Sequence, residues 1–240
     1  MQEPMPPTSL NEGSPRQLRT ESAYHVGVQT YFGINEDKLI PKHIPRNGLL
    51  EQILSPCNLN RAYKRVVSNG GSHGVDKMKT SELLSYLTVH KDELLSSLYH
   101  GTYRPSAVRR VMIPKPDGGQ RQLGIPTVVD RLIQQAIAQI LSPLYDRDFS
   151  PFSYGFRQGR GAHMALRQAQ KYITDGHEYV VDLDLERFFD TVNHSKLIQL
   201  LWDKIKDGRV ISLIHKYLRA GFMAGNAFER TTCGVPQGGH

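Results

Sequence analysis

Apolar positions begin to recur regularly at Leu49. Leu59, Ala62, Tyr63, Val66 and Val67 repeat at three- and four-residue spacing, which predicts an amphipathic helix stopped by Asn69-Gly70-Gly71. A loop over Ser68–Asp76 follows. Thr80 with Leu83 then starts a helical stretch expected to run, with a break near His90, to Tyr99 and a stop at Gly101. Beyond Arg104-Pro105 the period shortens. Val108–Ile113 and Gln120–Ile125 read as strands around an Asp117-Gly118-Gly119 turn, so a hairpin is expected. The widest apolar stripe comes next: Val129, Leu132, Ile133, Ala136, Ile137, Ile140, Leu141 and Leu144, with Arg131, Gln134, Gln135 and Gln139 turned away. After a Gly- and Arg-rich loop over Tyr154–Gly161, helices are expected over His163–Tyr172, Ser195–Lys206 and Val210–Leu218. Strands are expected over Tyr179–Asp184 and Ala227–Thr232.

The pattern gives an α+β class in which helices dominate the first two-thirds, with no internal repeat. Three regions follow from it. Residues 1–47 hold Pro4, Pro6, Pro7 and Pro15 with little periodicity and read as a leader, partly disordered. Residues 48–172 form the main helical region with the hairpin, and residues 173–240 a further α/β segment.

Composition adds little beyond this frame. Hydrophobic residues make up 39% and charged residues 22%, which is ordinary for a globular chain. No apolar run is long enough to span a bilayer, and Met1–Ser9 lacks the apolar core of a signal peptide. Two cysteines, Cys57 and Cys233, make neither a disulfide framework nor a zinc site, so a reducing, cytoplasmic location is expected.

Charge placement changes the picture more. Residues 100–171 carry 11 basic and 4 acidic side chains, a surplus equal to the net +7 of the whole chain. The flanking regions nearly balance, and residues 172–240 carry 8 basic and 9 acidic side chains. A concentrated basic zone suits a polyanion such as nucleic acid, or is a solvated surface.

Beside that zone lies a pair of carboxylates. If Tyr179–Asp184 is a strand, Tyr179, Val181 and Leu183 share one face, expected to meet a layer of helices, while Val180, Asp182 and Asp184 share the other. Acids at a strand end suit a hard, oxygen-seeking cation such as Mg²⁺, which serves phosphoryl transfer.

The stretch Asp184-Leu185-Glu186-Arg187-Phe188-Phe189-Asp190 resembles the catalytic motif of reverse transcriptases, an Asp followed five residues later by a bulky aromatic. Ile113–Pro126 with Asp130-Arg131-Leu132-Ile133-Gln134-Gln135 resembles the fingers hairpin of group II intron enzymes in that family. Tyr154-Gly155-Phe156-Arg157-Gln158-Gly159-Arg160-Gly161 resembles the next motif, with Gln158 where Pro and Gly161 where Ser is usual. Gly234-Val235-Pro236-Gln237-Gly238-Gly239 resembles the Pro-Gln-Gly motif, and Asn58–Met78 the N-terminal extension of the intron-like branch.

The resemblance implies a right-hand polymerase with fingers and part of a palm, acting as an RNA-directed DNA polymerase. It implies Asp184 as catalytic metal ligand, with Asp182 second, and Phe189 as a gate against the 2′-hydroxyl, Phe188 being left to core packing. Lys115 and Arg121 would reach the incoming triphosphate, and Gln237 would contact nucleotide and template. Arg131, Arg157 and Arg160 are assigned to nucleic acid, with bracing of the loop the alternative for the last two. Two Mg²⁺ ions, an intron RNA template, a DNA primer and deoxynucleoside triphosphates are the implied cofactor and partners. The family's Tyr-Ala-Asp-Asp hairpin is not found before His240, so this chain alone is expected not to polymerise. A stand-alone RNA-binding module, or a diversity-generating or CRISPR-associated reverse transcriptase, are the other readings.

Overall fold

The computed structural model describes residues 48–114, 118–225 and 227–236. Its centre is a set of helices held by their apolar stripes. After a short helix α1 (Leu49–Ile53), Ser55 caps α2 (Pro56–Asn69): its Oγ accepts from the Asn58 N–H at 3.4 Å, and Pro56 opens the first turn. Gly70, at φ +61°, ends the helix in a conformation that costs a residue without Cβ little. Leu59, Ala62 and Val66 are buried against α4 (Val128–Asp146), which contributes Leu132, Ile133, Ala136 and Ile140. The same core takes Leu83, Leu87, Leu94 and Leu98 from α3 (Leu83–Tyr99), which follows a 3-10 turn at Thr80–Glu82. It also takes Val210, Ile211 and Leu213 from α8 (Gly208–Leu218), downstream of α7 (His194–Ile205).

Two buried polar residues fix how these elements meet. Asn58 donates through Nδ2 to the carbonyls of Ile53 (2.8 Å) and Ala136 (2.9 Å), and its Oδ1 accepts from Gln139 Nε2 at 2.8 Å. Asp130, 1% exposed, accepts from the Tyr103 hydroxyl (2.7 Å), the Ser106 N–H (3.1 Å) and the Thr127 hydroxyl (2.7 Å). Burial pushes the Asp130 carboxyl above its ordinary range, against the pull of those donors. The cluster anchors the linker before the hairpin to the first turn of α4 and so sets the hairpin's root.

The hairpin pairs β1 (Val108–Pro114) with β2 (Gln120–Ile125), from Arg109 opposite Ile125 to Pro114 opposite Gln120. It does not stand alone. β3 (Phe222–Ala224) runs parallel to β1 and β4 (Ala227–Glu229) antiparallel to β3, giving a mixed sheet in the order β2-β1-β3-β4. The first three residues of the Ala227–Thr232 expectation form β4. β3 falls in a segment where the hydrophobic pattern marked nothing. α3 runs through His90 without the expected break.

The larger correction concerns Tyr179–Asp184. Among the described residues this segment takes part in no strand ladder, and no helical layer covers its apolar side: Tyr179, Val181 and Leu183 are each more than 80% exposed. Alternation makes a segment competent to be a strand, but a strand forms only where a neighbour satisfies its backbone groups. α5 (Ala162–Thr174), expected from its period, likewise buries none of its residues.

Candidate nucleotide and nucleic-acid site

A cleft of about 820 Å³ opens between the hairpin and the carboxylate segment. Residues 120–122 line one wall, and 183–185 with 187–190 line the other. Three of the side chains singled out in the sequence, Arg121, Asp184 and Phe189, therefore face one space although they come from distant parts of the chain. Arg121 lies in register with Ile113 on β1, so the hairpin ladder carries its guanidinium over the cleft. Asp184 is exposed, and its Oδ1 accepts from the Leu185 N–H at 2.9 Å.

Arg187 turns the chain at φ +51° into a single helical turn, α6 (Phe188–Thr191). That turn sets the Phe188 and Phe189 rings edge to face, 5.6 Å apart, with both about half exposed. Phe188 is thus a wall of the cleft rather than core. The Arg187 guanidinium reaches back to Asp190, at 3.5 Å.

Beneath the turn runs a strap, residues 233–236, the start of the Pro-Gln-Gly motif. The Gly234 N–H donates to the Val192 carbonyl at 2.8 Å and the Val235 N–H to the Phe189 carbonyl at 2.7 Å. Gly234 sits at φ +79°, and a Cβ there would come within 2.7 Å of the Asp190 carbonyl oxygen. The other side of the strap leans on the hairpin: a Cβ on Gly124 would meet Pro236 Cβ at 2.7 Å. These two glycines let the strap pass between turn and hairpin.

The remaining arginines are engaged differently from Arg121. Arg131 donates to the Gly70 carbonyl and the Ser72 carbonyl, each at 2.9 Å, which pins the loop after α2. Arg157, 7% exposed, meets Asp146 at 2.7 Å and donates to the carbonyls of Ser150 and Ser153. The carboxylate partner holds the Arg157 guanidinium above, and the Asp146 carboxyl below, its ordinary value. Arg160 donates to the Pro151 carbonyl at 2.6 Å and sits over the Tyr154 ring. Arg109 and Arg110 are also bonded, to the Ser72–His73 loop and to Glu229. Much of the basic zone's hydrogen-bonding capacity is therefore directed inward, something a charge count does not reveal.

Lys115 and Gln237, assigned to the triphosphate and the template, lie outside the described residues. Nor do the described residues complete a metal centre: among them no group of three or more His, Cys, Asp or Glu side chains converges. Asp184 offers one carboxylate, and a magnesium pair needs several hard oxygen ligands. What the cleft provides on its own is the Arg121 guanidinium on one wall and, on the other, the Asp184 carboxylate, the Phe188 and Phe189 rings and the Arg187–Asp190 pair.

Residues 113–240 match the family model described as reverse transcriptase (RNA-dependent DNA polymerase). The chain is 38% identical over 197 residues to Protein YkfC of Escherichia coli strain K12, covering 80% of this chain and 52% of that protein. It is 36% identical over 193 residues to the group II intron-encoded protein LtrA of Lactococcus lactis subsp. cremoris, covering 80% and 32%. The chain thus spans about half of the first relative and a third of the second. In fold it is similar to a chain of a partial Cas6-RT-Cas1–Cas2 complex, with a TM-score of 0.53 at 21% identity over 86% of this chain and 35% of that one. No helix among the described residues is long and apolar enough to cross a membrane.

Proposed function

The chain belongs to the reverse transcriptase (RNA-dependent DNA polymerase) family, and on that premise we propose that it carries the fingers side and the first carboxylate of a polymerase centre that copies RNA into DNA. The observation that supports this best is the convergence of Arg121, Asp184 and Phe189 on one cleft. A forked guanidinium suits the triphosphate of an incoming deoxynucleotide. A ring on the floor suits the sugar, because a flat apolar surface against C2′ leaves a hydroxyl without room or hydrogen-bond partner. Asp184 would be one ligand of the divalent metal ions that the family uses, magnesium being the ion its hard oxygen suits, and further carboxylates would be needed beside it.

Lys115 would join Arg121 at the triphosphate, and Gln237 would contact nucleotide and template. Arg131, Arg157 and Arg160 would act on nucleic acid indirectly, by holding the loops that border it. Intron RNA is the template class favoured by the similarity to LtrA, whose name places it in a group II intron. RNA-templated primer extension by the full-length protein tests the reading. Asp184→Ala should abolish deoxynucleotide incorporation and leave RNA affinity within about twofold, since one exposed acid adds little to phosphate binding. Undiminished incorporation would sink the assignment.

A further inference from the structure

The carbonyl of Gly234 has a partner that the catalytic motifs do not include. His194, the first residue of α7 and 7% exposed, places Nε2 2.7 Å from that oxygen. A carbonyl can only accept, so Nε2 carries the proton and donates. The histidine is itself held in place, because α7 is capped just before it by Asn193, whose Oδ1 accepts from the Lys196 N–H at 3.0 Å. Beside a long Cys233 Sγ bond to the Asp190 carbonyl at 3.7 Å, the strap is gripped at three points over two residues: Gly234 N–H to Val192, Val235 N–H to Phe189, and Gly234 carbonyl to His194. Two of the grips are backbone to backbone and form for any sequence that follows this path. The third is a side chain's choice.

We propose that His194 is a positioning residue that clasps the strap to the Phe188–Thr191 turn, so that the aromatic floor of the cleft and residues 234–236 move as one body. The clasp reaches the hairpin as well, since Pro236 packs on Gly124, three residues from Arg121 on β2. One chain of contacts therefore runs from the helix α7 terminus, under the sugar-side ring, to the strand bearing the phosphate-side guanidinium. Where the clasp is open, the strap keeps only its two backbone bonds, to Val192 and Phe189, and its packing on the hairpin loosens. His194 touches no part of the cleft itself. Its effect on a nucleotide, which rests on the polymerase reading above, would be exerted through the relative placement of Phe189 and β2.

Amide hydrogen exchange on the purified chain, read by mass spectrometry for peptides covering residues 232–236, tests the clasp without any need for activity. In His194→Ala the Gly234 and Val235 amides should exchange about two- to tenfold faster, the range that loss of one hydrogen bond supports. Peptides from α2 and α4 should be unchanged, which separates an open strap from general unfolding. His194→Gln, which keeps an N–H donor, should recover part of the protection. Gly234→Ala displaces the strap and with it the carbonyl that the imidazole holds, so removing the imidazole as well adds little and the double variant should exchange no faster than about twice the faster single variant. Unchanged protection in His194→Ala, or fully additive effects in the double variant, would overturn the proposal.

A second arm repeats the exchange on the full-length protein with a deoxynucleoside triphosphate and magnesium added. Extra protection of 232–236 in the native protein, lost in His194→Ala, extends the clasp to nucleotide placement. If nucleotide leaves native exchange unaltered while the His194 effect stands, the clasp survives and the polymerase reading of the cleft is what fails.

Discussion

The Val235 N–H donates to the carbonyl oxygen of Phe189 at 2.7 Å, so the ring that floors the cleft and the strap below it share a hydrogen bond of short, well-made geometry. The aromatic turn is only four residues long and could not hold its own shape as an isolated helix. Its position comes from this bond and its neighbours. A ring so fixed can act as a steric gate, whereas a ring on a loose turn would yield to a hydroxyl.

Phe189→Ala should therefore relax sugar selection. In the full-length enzyme we expect the preference for deoxy- over ribonucleotides to fall about 10- to 100-fold, the range available to a pocket that discriminates by shape. Competitive incorporation on one template measures it, and an unchanged ratio would remove Phe189 from the role.

Arg157 offers a test of bracing against direct RNA contact. Its guanidinium is bonded on several sides to Asp146, Ser150 and Ser153 and is nearly buried. Arg157→Ala should lower the thermal midpoint, and Arg157→Lys should fail to restore it, because an ammonium cannot reproduce the fork. The salt slope of RNA binding should stay the same. A slope shallower by about one phosphate would mean that Arg157 does contact the backbone.

Asn58 ties α1, α2 and α4 through buried bonds to the Ile53 and Ala136 carbonyls. Replacing it by Leu keeps most of the volume but takes the side-chain donor from both carbonyls and the acceptor from the Gln139 amide, leaving buried polar groups underbonded. Such groups cost about 1–3 kcal/mol each when they cannot reach water. Urea denaturation of Asn58→Leu should show a loss in that range or above. A neutral effect would mean that the site hydrates.

The Glu51–Arg209 pair, bonded at 2.6 and 2.9 Å, joins α1 to α8 across the surface. The guanidinium holds the Glu51 carboxyl below its ordinary 4.5. A lowered acid contributes stability that is present above its unfolded value and lost as pH falls through the folded one. Both side chains are nearly half exposed, so the contribution at pH 7 should be below about 1 kcal/mol. The gap in denaturation free energy between wild type and Glu51→Gln should therefore be small at pH 7 and close as the pH falls below 4.5 and through the lowered value. A gap that widens on acidification would contradict the sign.

Much of this protein was legible from residue order. The helices over 56–69 and 128–146 and the 108–125 hairpin follow from period and turn chemistry, which are local properties. Arg121, Asp184 and Phe189 stood out through the resemblance of their motifs to those of the reverse transcriptase family. Residue order gives no sign of the contact His194 makes, because one histidine after an Asn cap is not enough to say what it touches. The only signal was the capping residue, which predicts a helix start and says nothing about what the next side chain touches.

What residue order determined by itself was most of the helices, the 108–125 hairpin and the chemistry each could bring. Only the tertiary structure decided which strands pair, because pairing depends on a neighbour that alternation cannot specify. So, among the described residues, Tyr179–Asp184 carries no ladder despite the stronger pattern, while the short Phe222–Ala224 joins β1. It also decided where the arginines' donors go, since a charge count holds no direction. And it brought the Gly234 carbonyl within reach of His194, a contact made by the packing of α7 under the turn and absent from any local pattern.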